Sequence, residues 1–208
     1  MLVLKKHFIV FGSRHNDMNE KKDRFDDLAE LRTGSRNVYD GVLLHVFRDT
    51  VTLPNGAPAV RELIRHQGAV AVVPIMDDGR VIVERQFRYP LNEVITEIPA
   101  GKLDSISEDR LEAAKRELRE ETGYTAEEWI SLGDYHPTVA YSDERITMFL
   151  ARGLKKGERD LDEDEFLNVE LKPLDELVID VLEGRITDGK TQTALLKAWL
   201  YQKNNNTD

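Results

Sequence analysis

Three carboxylates stand close together in the segment from 101 to 124: Glu117, Glu120 and Glu121. In a helix, residues four apart lie on the same side, so Glu117 and Glu121 are neighbours there. Like charges in a partly shielded place repel each other and need a compensating cation. Carboxylate oxygens suit Mg2+ or Mn2+, ions that often bridge to substrate phosphates. The segment therefore predicts a divalent-metal site.

A helix must position these carboxylates, and the sequence marks both of its ends. Asp109 is a preferred N-cap residue, and Glu112, three residues later, completes a capping-box pattern. Gly123 suits the left-handed position just past the C-terminus. One apolar stripe follows the helical period: Leu111, Ala114 and Leu118. We expect Glu117 and Glu121 beside this buried stripe and Glu120 further round.

The segment resembles the signature of the Nudix hydrolases, which has a Gly, a Glu, then Arg-Glu-apolar-x-Glu-Glu-x-Gly-apolar. Gly101, Glu108 and the run Arg116–Tyr124 match these positions. Six residues separate Gly101 from Glu108, one more than the family pattern has, and the extra residue falls in a loop. A surface helix rich in Glu and Arg is the competing interpretation of the same residues.

The resemblance implies roles for individual residues. The metal ligands would be Glu117, Glu121 and the carbonyl oxygen of Ala100, the residue before the signature glycine. Glu120 would be a further ligand or a catalytic group beside them. Arg116 and Glu108 would pair structurally, holding the loop against the helix.

A second acidic run occupies residues 160–165 and directly precedes an apolar strand. Charge runs are usually solvated loops. ADP-ribose pyrophosphatases, which this chain resembles, have an acidic loop here that supplies another metal-binding Glu or the group that activates water. By that resemblance Glu165 is the first candidate for both roles, and Glu163 is the second candidate for the catalytic one.

Three further residues are candidates for substrate binding. Arg88 could donate charge-assisted hydrogen bonds to substrate phosphates, although a surface ion pair would also explain it. Glu97 resembles a residue facing the nucleotide. Leu103 could line the pocket, but a core leucine is an equal alternative. The resemblance implies Mg2+-dependent hydrolysis of a nucleoside diphosphate sugar, with ADP-ribose giving AMP and ribose 5-phosphate. A GDP-sugar or another nucleoside diphosphate derivative, and a non-catalytic nucleotide-sugar sensor, remain alternatives.

Composition limits the partners. The 208 residues carry a formal net charge of -10, which disfavours binding to nucleic acid through a basic face. An anionic diphosphate would also be repelled, so the metal is a physical requirement of the hypothesis. No apolar run approaches the ~20 residues of a membrane helix. The absence of cysteine fits a cytoplasmic location. We therefore expect a small-molecule substrate, neither nucleic acid nor membrane, and Mg2+ with Mn2+ as a possible substitute.

Hydrophobic periodicity predicts an α/β protein, and the resemblance identifies its architecture as the Nudix fold, a mixed sheet between helices. Strands are expected at 42–47, around 51, and at 60–64, 68–76, 80–87, 94–98, 129–135, 146–151 and 166–171. Helices are expected at 174–182 and 191–201. The expected organisation is a disordered leader over 1–17, a β extension over 18–64, the hydrolase domain over 65–203 and a frayed tail over 204–208. The β extension resembles one that forms part of a homodimer.

Overall fold

A computed structural model of the chain describes residues 27–161 and 166–205. Within those ranges the elements are β1 (Leu31–Asp40), β2 (His45–Thr52), β3 (Pro58–Arg65), β4 (Ala69–Pro74), β5 (Arg80–Arg88), β6 (Glu93–Glu97), β7 (Ala100–Lys102), α1 (Arg110–Thr122), β8 (Tyr124–Thr125), β9 (Glu128–Tyr135), β10 (Ile146–Arg152), β11 (Lys155–Lys156), β12 (Leu167–Pro173), α2 (Leu174–Leu182) and α3 (Gly189–Asn205). The predicted α/β class is confirmed.

The central sheet has the order β7-β4-β10-β9 and is mixed. β4 and β10 run parallel, whereas β7 and β9 pair antiparallel at the two edges. A second sheet has the order β12-β5-β6 and is antiparallel throughout. β8 and β11 form a two-stranded sheet.

β4 lies between two hydrophobic cores, as its continuous apolar run predicted. All six of its residues are buried. Because side chains alternate along a strand, Val70 and Val72 pack against α1 while Ala71 and Val73 pack in the core that α2 and α3 share. Helices therefore cover both faces of the central sheet, which is the predicted layering.

The N-terminal strands differ in detail from the prediction. β1, β2 and β3 form a three-stranded antiparallel sheet. The strand expected at 42–47 is wrong in its first half, since residues 41–44 form a turn closed by a hydrogen bond from Gly41 N to Leu44 O (2.9 Å). β2 instead runs continuously from His45 past Val51. β1 had no predicted counterpart, because nine of its ten residues are exposed and give no alternating pattern.

The described residues form two compact units. One contains residues 27–36 and 48–61, and the other contains 37–47 together with 62–161 and 166–205. In the first unit Ser35 Oγ donates to the buried carboxylate of Asp49 (2.5 Å) and Thr33 Oγ1 donates to Thr50 O (3.1 Å). The second unit contains the central sheet and all the described candidate site residues. None of the helices in residues 27–161 and 166–205 has the length and apolar content to cross a membrane.

Candidate active site

Helix α1 begins and ends where the sequence predicted. The Asp109 carboxylate accepts hydrogen bonds from the backbone N–H groups of Leu111 (2.9 Å) and Glu112 (3.1 Å), as an N-cap does. Gly123 adopts φ 77°, a left-handed backbone conformation that residues other than glycine rarely adopt. The capping box is only half formed, because the Glu112 carboxylate accepts from Lys115 Nζ (2.7 Å). These ends fix where α1 begins and stops, and therefore which residues its turns contain.

The three signature carboxylates differ in exposure. Glu117 and Glu121 are 9% and 5% exposed, and Glu120 is intermediate. Leu118, which belongs to the predicted apolar stripe, is fully buried beneath them. The helix thus holds two carboxylates at the edge of its buried face and one further round, as predicted. Buried carboxylates are stable only when a cation or hydrogen-bond donors satisfy them.

A cavity of about 910 Å³ lies beside the helix and collects most of the described candidates. The predicted site residues that line it are Arg88, Glu97, Ala100, Leu103, Glu117 and Glu120. Glu121 does not line it, but its Oε2 accepts a hydrogen bond from the N–H of Ala100, which does (2.9 Å). One concave region therefore unites residues from β5, β6, β7 and α1.

Gly101 lets the β7 backbone approach Glu117 closely. A Cβ atom built at Gly101 would lie 2.1 Å from the carboxyl carbon of Glu117, closer than real atoms approach. Only glycine leaves the Glu117 carboxylate in its present position. This explains physically why a glycine stands at the start of the signature.

Arg116 binds the carboxylates of the signature together. Its Nη1 donates to Glu117 Oε1 (2.8 Å) and Glu120 Oε2 (3.1 Å), and its Nε donates to Glu108 Oε1 (3.3 Å). Partial burial alone would lower the pKa of Arg116, but the charge of Glu117 and the hydrogen bonds to Glu108 and Glu120 outweigh it and raise that pKa. The pairing with Glu108 was predicted, whereas the contacts with Glu117 and Glu120 were not.

Glu97 and Arg88 form an ion pair at the cavity wall. Arg88 Nε and Nη2 donate to the two oxygens of Glu97 at 2.6 and 3.0 Å. Lys190 Nζ, from the first turn of α3, also donates to Glu97 and reaches Asp188 Oδ2 at 3.0 Å. Lys190 and Asp188 line the cavity too. No sequence pattern pointed to these two residues, since Lys190 and Glu97 are 93 positions apart.

Leu103 both packs in the core and lines the cavity, the two alternatives that the sequence left open. It is 2% exposed and packs in the α1 core with Val70 and Leu118, and it also lines the cavity. Its contact with substrate stays a prediction.

The late acidic loop is described only at its start. Glu163 and Glu165 lie outside the described residues, so their predicted roles stay predictions. Asp160 lines the cavity, and its N–H donates to Glu120 O (3.2 Å). Arg119, one helical position before Glu120, lies 3.6 Å from the Asp160 carboxylate. Residues 157–160 thus pass the C-terminal end of α1.

The donors present suit a hard divalent cation in kind. Glu117 and Glu120 are close enough to share one cationic group, as their common contact with Arg116 Nη1 demonstrates. Carboxylate and carbonyl oxygens are the preferred ligands of Mg2+. Among residues 27–161 and 166–205, no three His, Cys, Asp or Glu side chains are grouped tightly enough to hold a metal ion by themselves. The set fits such an ion provided that a ligand from outside those ranges, or from substrate or water, completes it.

Comparison with known proteins agrees with this geometry. The NUDIX domain family model matches residues 65–194. An ADP-ribose pyrophosphatase of Bacillus subtilis (strain 168) is 38% identical over 170 residues, covering 81% of this chain and 91% of that protein. A methanol dehydrogenase activator of Bacillus methanolicus is 40% identical over 163 residues, covering 77% and 88%.

A solved structure has the same fold. The crystal structure of an ADP compounds hydrolase superposes with a TM-score of 0.76 at 25% identity, and the match covers 86% of this chain and 97% of that one. The family match spans the signature helix and most of the cavity wall described above. This chain belongs to the Nudix family of hydrolases.

Proposed function

We propose that this protein hydrolyses the diphosphate bond of a nucleoside diphosphate sugar, with ADP-ribose giving AMP and ribose 5-phosphate. The observation that carries the proposal is the meeting of Glu117, Glu120 and the Ala100–Gly101 backbone at one cavity wall with Arg88 at the same cavity. Similarity to proteins named ADP-ribose pyrophosphatase and ADP compounds hydrolase supports the choice of substrate.

A divalent metal, which Nudix hydrolases generally use, is part of the proposal. We propose Mg2+, with Mn2+ as a substitute, held by Glu117, Glu121, Glu165 and the carbonyl oxygen of Ala100. When bound, the ion supplies neutralisation of the diphosphate charge and a lower pKa for water. The chain's own contribution is to hold these oxygens in place through Arg116, the α1 caps and the close approach of Gly101.

Other residues act on the substrate and on water. Arg88 donates to a phosphate oxygen through Nη1, which bonds to nothing within residues 27–161 and 166–205. Glu97 and Leu103 lie on the substrate side of the cavity. Glu165 or Glu163 of the late loop accepts the proton of the attacking water. Glu120 would act next to the metal ligands, as a further ligand or a catalytic group. In-line attack at one phosphorus expels the other phosphate.

Assembly and location belong to the same proposal. We propose a homodimer formed through residues 18–64, ahead of a hydrolase domain over 65–203. The described part of this extension exposes large apolar side chains, which is costly in a monomer: Leu31, Val38, Tyr39, Val42, Leu43, Leu44 and Val60. We propose a cytoplasmic location, which the absence of cysteine supports.

Two competing functions are separated by one assay. A GDP-sugar hydrolase would use the same metal and diphosphate chemistry, since the signature contacts neither base nor sugar. A sensor without turnover is disfavoured because the chain keeps Glu117, Glu120 and Glu121. Purified protein with Mg2+ is offered ADP-ribose, GDP-mannose, NADH and nucleoside triphosphates, and AMP or phosphate release is measured.

We expect Mg2+-dependent release of AMP from ADP-ribose, at a higher rate than the turnover of any other substrate offered. Glu117→Gln should abolish most turnover with an unchanged thermal midpoint. Glu112→Gln on the same helix is the matched control and should keep wild-type turnover, because the Glu112 carboxylate is exposed and pairs with Lys115. Near-native turnover in Glu117→Gln would contradict the proposed mechanism, and preference for GDP-mannose would contradict the proposed substrate.

A further inference from the structure

Four charged side chains that line the cavity form one bonded group: Arg88, Glu97, Asp188 and Lys190. The Glu97 carboxylate accepts from Arg88 at both oxygens and from Lys190 at Oε1, and Lys190 also bonds to Asp188. The side chains of Glu97 and Lys190 are 5% and 12% exposed. The two positive and two negative charges balance, which burial requires.

Helix α3 places Lys190 and also supports the backbone beside it. Thr191 Oγ1, fully buried, accepts a hydrogen bond from the N–H of Ile98 (3.1 Å). Thr191 N–H donates to Asp188 Oδ2 (2.9 Å), so the same carboxylate caps the first turn and holds Lys190. The start of α3 is thereby bound to Glu97 and Ile98, which lie just ahead of Pro99 and strand β7 with its signature Gly101.

Arg88 depends on this group for its orientation. Its bonds to Glu97 use Nε and Nη2, one edge of the planar guanidinium, and Nη1 stands on the other edge. Its side chain is 41% exposed, so without an anchor the guanidinium would be free to turn in water. The anchor is a buried carboxylate that is also bonded to Lys190, so it has a second contact that restrains it.

We propose that Lys190 is a positioning residue for the diphosphate: by fixing and neutralising Glu97, it holds Arg88 with Nη1 available to the substrate. The inference rests on the proposed function. Without Lys190, Arg88 would become the sole cation of a buried carboxylate and the group would gain one negative charge. Both changes weaken binding of an anionic diphosphate.

The test compares three lysine variants of the full-length protein. Lys190→Met should raise both the KM for ADP-ribose and the Kd for the non-hydrolysable α,β-methylene analogue by about tenfold, the scale of one charge-assisted hydrogen bond. We expect kcat to change much less. Lys190→Arg should restore most of the affinity. Lys197→Met is the matched control on α3. Within the described residues its ammonium bonds to Leu132 O (2.6 Å) alone, and KM should stay unchanged.

A double-mutant cycle separates positioning from general support. In an Arg88→Met background, Lys190→Met should raise KM clearly less than it does in the wild-type protein, because the part of its effect that passes through Arg88 is absent. If Lys190→Met does not fold, Glu97→Gln with Lys190→Met removes both buried charges, and the same KM increase is expected.

Two results would overturn the inference while leaving the proposed function intact: an unchanged KM in Lys190→Met, or full additivity with Arg88→Met. Failure of the proposed function has a different appearance. In that case the folded wild-type protein neither turns over ADP-ribose nor binds its analogue.

Discussion

Arg116 illustrates how individual side chains prepare the site. Its guanidinium satisfies Glu117, Glu120 and Glu108 at once, so three carboxylates can lie together before any metal arrives. Removing a neighbour of a buried charge costs more than the contact itself contributes, because the charge is left uncompensated. The chemistry of this site therefore depends on contacts that are themselves not reactive.

Gly101→Ala tests how closely β7 must approach Glu117. The added Cβ would lie 2.1 Å from the Glu117 carboxyl carbon, so this flexible side chain must move. A displaced carboxylate should lower kcat/KM by about a hundredfold, the scale of an ångström-sized misplacement. Steady-state kinetics at saturating Mg2+ measure it. In a Glu117→Gln background the same change should add almost nothing, and an additive loss would argue against this cause.

Asp188 should give stability a dependence on pH. Burial would raise its pKa, but the charge of Lys190 and the hydrogen bonds from Lys190 and Thr191 outweigh burial and lower it. A lowered folded pKa stabilises the protein above the ordinary value of about 4 and loses that effect as pH falls through the folded value. Urea unfolding should therefore show a gap between wild type and Asp188→Asn at pH 7 that shrinks below about pH 4. A stability difference that is constant with pH would contradict the lowered pKa of Asp188.

Among the secondary-structure elements, helix α1 contributes most to the site, because it positions the signature carboxylates. Its caps fix its length, its apolar stripe fixes its rotation against β4, and Glu117 and Glu120 then line one cavity. Caps and stripe are local sequence features, and for that reason α1 could be predicted residue by residue.

The C-terminal end of α1 can be tested against that of α2. Gly123→Ala forces φ 77° on alanine and brings a Cβ to 3.0 Å from Arg159 Cγ, whereas Gly184→Ala has φ 75° with no atom within 4 Å. The left-handed backbone alone should cost each variant about 1 kcal/mol of unfolding free energy. Gly123→Ala should lose more than this, because its Cβ is also crowded by Arg159. Chemical denaturation measures both losses. Equal losses would show that residues 157–159 move aside without a cost in stability, and would contradict the effect of crowding.

Long-range contacts set the limit of what the sequence could predict. The α/β layering, β4 as a central strand and the carboxylates of α1 follow from periodicity and from the signature. Lys190 and Asp188 could not be found, since only folding brings α3 to β6. Strand β1 was not predicted, because its exposed residues resemble those of a loop. The start of β2 was misplaced because Val42 to Leu44 is apolar yet forms a turn.

At the scale of the whole molecule, charge and assembly dominate. A net charge of -10 repels an anionic substrate everywhere except where cations are concentrated. Substrate binding should therefore weaken sharply when the divalent ion is removed by a chelator. Isothermal titration with the methylene analogue, with and without Mg2+, measures the effect, and equal affinity in both conditions would contradict this role for the metal.

The proposed homodimer is tested on the exposed apolar residues of the N-terminal sheet. Val38, 47% exposed on β1, should be covered by the second copy. Val38→Asp is expected to shift sedimentation toward the monomer, since a buried unpaired charge is costly at an interface. Leu182→Asp, at a residue 74% exposed at the end of α2, is the control and should leave assembly unchanged. A wild-type monomer at micromolar concentration would refute the dimer.

The most direct test is a crystal structure with Mn2+ and the α,β-methylene analogue of ADP-ribose, measured at a wavelength where manganese scatters anomalously. We expect an anomalous peak at about 2.1–2.2 Å from carboxylate oxygens of Glu117 and Glu121, in contact with the diphosphate, close to the distances of Mg2+. A fully occupied analogue with no anomalous peak beside these carboxylates would show that they do not hold the metal.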